Sequence, residues 1–127
     1  MAAQPKVSMP SNLPSQVKIE IFIPVDFVDA LRLHIAKAGA GRIGSYDHCS
    51  TVIDVRGYWR PLEAAQPFAG EIGKIEQGTE CKVEVNCPYE RVNDVIAAVK
   101  NIHPYEQPVI NLIPLINDQF PSSGTFR

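Results

Sequence analysis

"IPVDFVDAL", residues 23–31, and "CPYERVNDV", residues 87–95, align without a gap. Each reads proline, an acid two residues on, valine, Asp or Asn, and then an aliphatic two places further. The residues ahead of each copy alternate. Val17, Ile19, Ile21 and Ile23 alternate with Lys18, Glu20 and Phe22 in "VKIEIFI", and Cys81, Val83, Val85 and Cys87 alternate with polar residues in "TECKVEVNC". Period-two alternation is the mark of a strand with one buried face. From within each copy onward the apolar spacing turns helical, with Val28, Leu31, Ile35 and Ala38 in the first and Val92, Val95, Ile96 and Val99 in the second. Asp26 is placed to cap the first helix, with Asp29 three residues on, and Gly39 to end it.

A strand over 45–55 ("SYDHCSTVIDV"), with Cys49, Thr51, Ile53 and Val55 alternating on its apolar side, and another over 109–114 complete the order βαββαβ. A βαβ unit used twice predicts an α+β, ferredoxin-like (split βαβ) sandwich. Its first and third strands lie in the middle of the sheet, its second and fourth at the edges, and both helices cover one face. The echo also sets Gly39-Ala40-Gly41 in correspondence with His103-Pro104-Tyr105. On this reading both turns lie at the same end of the sheet, three strand spacings or roughly 14 Å apart, and meet only across a subunit boundary.

Residues 17–115 form the expected domain. Residues 1–16, with Pro5, Pro10 and Pro14 among polar residues, read as a disordered lead-in, and 116–127 as a loosely patterned tail in which Phe120 can dock. The chain of 127 residues is sized for one core. A net charge of −2 lacks the basic excess of a nucleic-acid binder. No apolar run is long enough for a membrane span, and the N-terminal stretch has no signal-peptide pattern. Cys49, Cys81 and Cys87, lacking disulfide-like spacing, point to buried thiols in a reducing, cytoplasmic setting.

Several stretches invite chemistry. "GAGRIG", Gly39 to Gly44, satisfies GxGxxG, but a helix precedes it and a strand comes after, the reverse of a dinucleotide site. What survives is an anion-accepting turn built on Gly41, Arg42 and Gly44. His34, His48 and His103 have no second ligand at helical or hairpin spacing, and His48 and Cys49, as strand neighbours, point to opposite faces; no metal site is assigned. No nucleophile, base and orienting group fall together, so no catalytic residue and no cofactor are assigned. In "HPYEQP", Pro104 and Pro108 stiffen a connector in which Tyr105 packs, His103 faces helix-end carbonyls and Glu106 seeks a cation. The segment 57–78 is too long for a hairpin turn and mixes Tyr58, Trp59 and Phe68 with Arg60, Glu63, Glu71 and Lys74, a composition suited to a planar ligand or a protein partner.

Taken together, "GAGRIGSYDHCS", "RPLEAAQPFAGEIGKIE" and "HPYEQP" resemble, in order and spacing, the small domain inserted in YqfO-type proteins. That insert is similar in fold to the copper-tolerance protein CutA and to the PII signalling proteins. The resemblance implies a homotrimer with sheets facing inward, an effector loop between strands two and three, and ligands in clefts between subunits. It does not bring a hydrolase activity, because the metal-holding flanks of the larger proteins have no counterpart here. Arg42 stands where the family tends to have His, and Glu63-Ala64-Ala65-Gln66-Pro67 where it tends to read "EGANP".

The expected function is therefore a non-catalytic, oligomeric regulatory module that binds a nucleotide-like small molecule or a divalent ion. Its sites lie at subunit boundaries and draw on Gly41, Arg42, Gly44, Tyr46, His48, Trp59, Arg60, Glu63, His103, Tyr105 and Glu106. The alternative is a structural adaptor holding a protein through residues 57–78, and a hydrolase ranks third.

Overall fold

The computed structural model describes residues 13–120; the rest of the expected lead-in and tail, 1–12 and 121–127, lies outside the described residues. Four antiparallel strands, β1 (Gln16–Ile23), β2 (Thr51–Trp59), β3 (Glu76–Pro88) and β4 (Ile110–Pro114), form one sheet in the order β2-β3-β1-β4. Helices α1 (Val28–Lys37) and α2 (Val92–Ile102) come after the two central strands. This is the α+β, ferredoxin-like arrangement, with the central and edge strands as expected.

The duplicated motif is the same structure twice. Pro24 (φ −60°, ψ 147°) and Pro88 (φ −57°, ψ 141°) each stop a strand and open a single 3-10 turn, Val25–Phe27 and Tyr89–Arg91. Phe27 (φ −102°, ψ −1°) and Arg91 (φ −100°, ψ −2°) then hand the chain to the α-helix. The expected cap by Asp26 is not made, since neither helix has a side-chain cap hydrogen bond. The 3-10 turn instead supplies backbone hydrogen bonding ahead of each helix, as with Phe27 N–H to Pro24 O at 3.0 Å.

At its other end α1 stops as the glycine predicts. Gly39 takes φ +112°, Ala40 N–H reaches Ile35 O at 3.0 Å and Gly39 N–H reaches Ala36 O at 3.1 Å, the paired bonds of a Schellman cap.

The core is the seam between the helices and one sheet face. Val17, Ile19, Ile21 and Ile23 of β1 and Cys81, Val83, Val85 and Cys87 of β3 pack under Val28, Leu31 and Ile35 of α1 and Val95 and Val99 of α2. Burial pushes the Cys87 thiol up to about 11 and also raises Cys81, so both are inert packing groups.

Pairing register fixes what faces the other way. Phe22, Lys82 and Ile53 form one row across the open face, Glu20, Glu84 and Thr51 the next, and Val55 stands opposite Glu80. The second strand therefore departs from its sequence reading in two respects. It starts at Thr51 rather than near Ser45, leaving His48 and Cys49 outside it, and its Thr51, Ile53 and Val55 lie on the open face rather than over the core. Edge position explains this, because β2 lies at the rim of the sheet, beyond the helix-covered centre, and apolar periodicity there no longer reports the core. Residues 57–78 are likewise not all loop. Gly57–Trp59 and Glu76–Gly78 extend the ladder, and only 60–75 connects the strands.

Candidate functional site

The two turns that the repeat sets in correspondence stand at opposite ends of the sheet, not at one end. Gly41 donates its N–H to Asn86 O at 2.8 Å, whereas the His103 ring meets Phe22 O at 2.6 Å. Phe22 pairs with Lys82, and the four residue steps along β3 from Lys82 to Asn86 amount to roughly 13 Å. The reason is geometric: β1 and β3 are antiparallel, so the two repeats run in opposite directions.

At the first end, Gly41 clamps the turn, with Cys49 N–H returning to Gly41 O at 2.9 Å. A Cβ on Gly41, which has φ +85°, would lie 2.8 Å from Cys49 O. Beyond it, Ile43 and Tyr46 close a tight hairpin around Gly44 (φ +57°), and Arg42 Nε donates to Gly44 O at 3.2 Å. His48 takes φ +58° and its Nδ1 lies 3.0 Å from Asp47 Oδ1. Arg42, Tyr46 and His48 are all exposed.

The opposite end holds a cleft of about 280 Å³. Phe22, Tyr58, Trp59, Phe68, Glu80 and Tyr105 line it, with Arg60 and Glu106 also on its walls. The structure thus brings together Trp59, Arg60, Tyr105 and Glu106 from the expected set, with His103 directly behind. It leaves Glu63 off the wall and Gly41, Arg42, Gly44, Tyr46 and His48 at the far end.

Three anchors build this cleft. His103, 9% exposed, places Nε2 on Phe22 O while Tyr105 N–H donates to Nδ1 at 3.1 Å. The carbonyl requires a donor and the amide an acceptor, so the ring is the neutral tautomer protonated at Nε2. This replaces the expected contact with helix-end carbonyls. The second anchor is Glu106, whose Oε1 accepts the Gln66 N–H at 2.9 Å rather than a cation. The third is aromatic. Phe68 meets Tyr105 (5.9 Å between centroids) and Phe27 (6.3 Å, edge-on), and Trp59 Nε1 donates to Ala69 O at 3.1 Å. The 60–75 connection therefore folds back onto its own chain while Tyr58 and Phe68 keep exposed faces.

Glu80 is the residue that sequence reasoning missed. It is 7% exposed, and Tyr105 Oη donates to its Oε2 at 3.4 Å. Burial, with Glu80 beside it, pushes the Tyr105 phenol up to about 12, so it remains a donor across the physiological range. A signal was available: Gly57 and Gly78 pair directly, and a Cβ on Gly57 would come within 2.7 Å of Glu80 Oε2.

Burial also holds His103 below its ordinary pKa, outweighing the Phe22 hydrogen bond and the Glu80 charge, which both raise it. The folded ring is then harder to protonate than the unfolded one. Its contribution to stability is complete above the unfolded value of about 6.5 and is lost as pH falls through the folded value. Urea melts taken from pH 7 down to 5 should show stability declining, with a shallower decline in His103→Gln; equal slopes would remove His103 as the cause.

Among the described residues, no group of three or more His, Cys, Asp or Glu side chains is gathered to hold a metal, and no helix is long and apolar enough to cross a membrane.

Residues 72–120 match the family model described as CutA1 divalent ion tolerance protein. A "GTP cyclohydrolase 1 type 2 homolog" of Halalkalibacterium halodurans is 35% identical over 113 residues, covering 89% of this chain and 30% of the relative. Among solved structures, a Bacillus cereus protein related to NIF3 superposes with a TM-score of 0.72 at 31% identity, over 82% of this chain and 26% of that one. The periplasmic divalent cation tolerance protein CutA of Archaeoglobus fulgidus gives 0.61 at 22% identity, over 80% and 84%. The chain therefore spans about 30% of the length of the first of these relatives.

Proposed function

From the premise that this chain carries a CutA-like domain, similar to the segment embedded in the larger NIF3-related proteins, we propose that it is a non-catalytic regulatory module. It works as a homotrimer in the cytoplasm and binds a nucleotide-like small molecule or a divalent ion at subunit boundaries. The observation that carries the binding part of this reading is the cleft itself, built within one chain. It offers aromatic walls, one buried carboxylate and a phenol donor.

The open sheet face supports assembly. Lys18 and Lys82 lie 3.1 and 3.2 Å from Glu84 and 3.9 Å each from Glu20, a cluster of two cations and two anions that neutralises its own charge. Lys18, and behind it Lys82, hold the Glu84 carboxyl below the usual range. Ile53 and Ile113 stand on the same face, 39% and 38% exposed. A face of self-paired charges beside apolar side chains suits packing against copies of itself. A divalent ion would draw donors from more than one chain, with His48 and Asp47 at the exposed far turn available to a neighbour. The sites drawn from Gly41, Arg42, Gly44, Tyr46 and Glu63 are likewise completed only by a neighbouring copy.

One observation favours the adaptor alternative. Leu62, Phe68, Ile72 and Ile75 of the 60–75 connection are all exposed, Ile75 at 76%. Native mass spectrometry combined with thermal shift separates the readings. The module is expected at three times 14.0 kDa and to melt higher with a nucleotide or a divalent metal. A monomer, or no shift with any ligand, would leave the adaptor reading in place.

A further inference from the structure

We infer that the cleft between the 60–75 connection and the 103–109 connector selects a planar organic cation, an amidinium, guanidinium or protonated ring, held by Glu80. This rests on the binding-module reading above and goes beyond it: within this cleft of a single chain the ligand is a planar cation, in place of a nucleotide or a metal ion.

Three independent features converge. The first is an under-paired buried carboxylate. Glu80 is 7% exposed and faces the cleft, yet among the described residues the only hydrogen bond to its carboxylate is the 3.4 Å contact from Tyr105, and it has no ion-pair partner. An ionised carboxylate out of water needs a cation or several donors, and this one has a single long hydrogen bond. A ligand carrying paired N–H donors and a positive charge supplies both needs.

The second feature is the wall. Trp59, Tyr58, Phe68 and Tyr105 present ring surfaces around the carboxylate. Aromatic faces are electron-rich and attract cations, and a flat ligand stacks on them. An anion meets an unfavourable charge at the floor and no compensation from the rings. Arg60, exposed on the wall, is the only cation lining the cleft among the described residues and cannot reverse the sign at the buried floor.

The third feature is space reserved by the backbone. Gly57 and Gly78 face each other across the β2–β3 ladder. A Cβ on Gly57 would stand 2.7 Å from Glu80 Oε2, and one on Gly78 would stand 3.0 Å from the Trp59 ring. Both glycines clear room for the two side chains that define the cleft, the carboxylate and the indole.

The chain has one tryptophan, so emission from Trp59 reports this cleft alone. The probes are benzamidine, neutral benzamide of nearly the same shape, and benzoate, each titrated into the full-length protein at pH 7. Benzamidine is expected to quench Trp59 saturably, and to bind at least about tenfold more tightly than benzamide or benzoate. Glu80→Gln keeps the shape of the site and an acceptor for Tyr105, and is expected to remove the preference. Its unliganded emission spectrum, matching that of the parent, shows that the cleft is intact. Equal binding of benzamidine and benzamide, tighter binding of benzoate, or a preference that survives Glu80→Gln each overturns the inference. If nucleotides or divalent metals raise the melting temperature while all three ring compounds leave Trp59 unchanged, the ligand class fails and the regulatory-module reading stands. If nothing binds by either readout, both fail together.

Discussion

Ile53→Asp is expected to release a 14.0 kDa monomer. Ile53 sits on the edge strand β2, beside Lys82 in the row of the open sheet face that continues to Phe22. In a trimer whose sheets face inward, each substitution carries a carboxylate into a desolvated interface, and three-fold symmetry repeats it three times. Lys82 beside it is already shared between Glu84 and Glu20, so the added carboxylate is desolvated without a cation of its own, at a cost on the order of several kcal/mol per copy, enough to dissociate an assembly held by apolar contact. The isolated chain loses little, because Ile53 is 39% exposed on the face away from the core. Analytical ultracentrifugation at micromolar concentration distinguishes the outcomes. Persistence of a trimer would place the interface elsewhere, while a parent protein already monomeric would remove the assembly from the account.

His103→Ala is the second large effect, and it acts on the fold. The ring joins the last residues of β1 to the connector through Phe22 O and Tyr105 N. Truncation leaves that carbonyl and that amide without their partners and opens a void where a ring 9% exposed had packed. Unsatisfied buried groups cost roughly 1–3 kcal/mol each, and the void adds to this, so a total of about 3–5 kcal/mol is expected. Against a typical total stability of about 5–15 kcal/mol that is a drop in melting temperature on the order of 15 °C. Chemical denaturation should also show disorder spreading into the cleft, because Tyr105 is held by the same ring. A loss below about 1 kcal/mol would mean that water replaces both hydrogen bonds and that the joint is not structural. His103→Gln, which keeps a donor for Phe22 O, is expected to recover part of the loss.

Much of this molecule is legible along the chain. The alternation of Val17 to Ile23 and of Cys81 to Cys87 marks the two central strands correctly, because a central strand under two helices has one wholly buried face. The repeated proline marks both strand-to-helix junctions, since proline fixes φ and ends the ladder wherever it stands. Gly39 marks the end of α1 for an equally local reason. The capping acid fails as a signal because the 3-10 turn after each proline hands the chain to the helix without it. The β2 boundaries fail because an edge strand beyond the helices has no buried face to impress on its sequence.

The candidate site divides along the same line. Trp59, Arg60, Tyr105 and Glu106 could be singled out as aromatic and charged residues in loops, but their gathering into one cleft depends on the antiparallel direction of the second repeat. Glu80 reads as one more polar residue on an open face beside Lys82 and Glu84. Only the tertiary fold, which brings Tyr105 and the 60–75 connection around the same cleft, takes it out of water.

The amino-acid order alone determined the duplicated βαβ unit, its core and its chain reversals, because each is imposed by residues within a few positions of one another. Which end of the sheet each repeat's turn occupies, and which acid is withdrawn from solvent, was decided only in three dimensions. Those properties depend on strand direction and on contacts between segments tens of residues apart, and no local periodicity carries them.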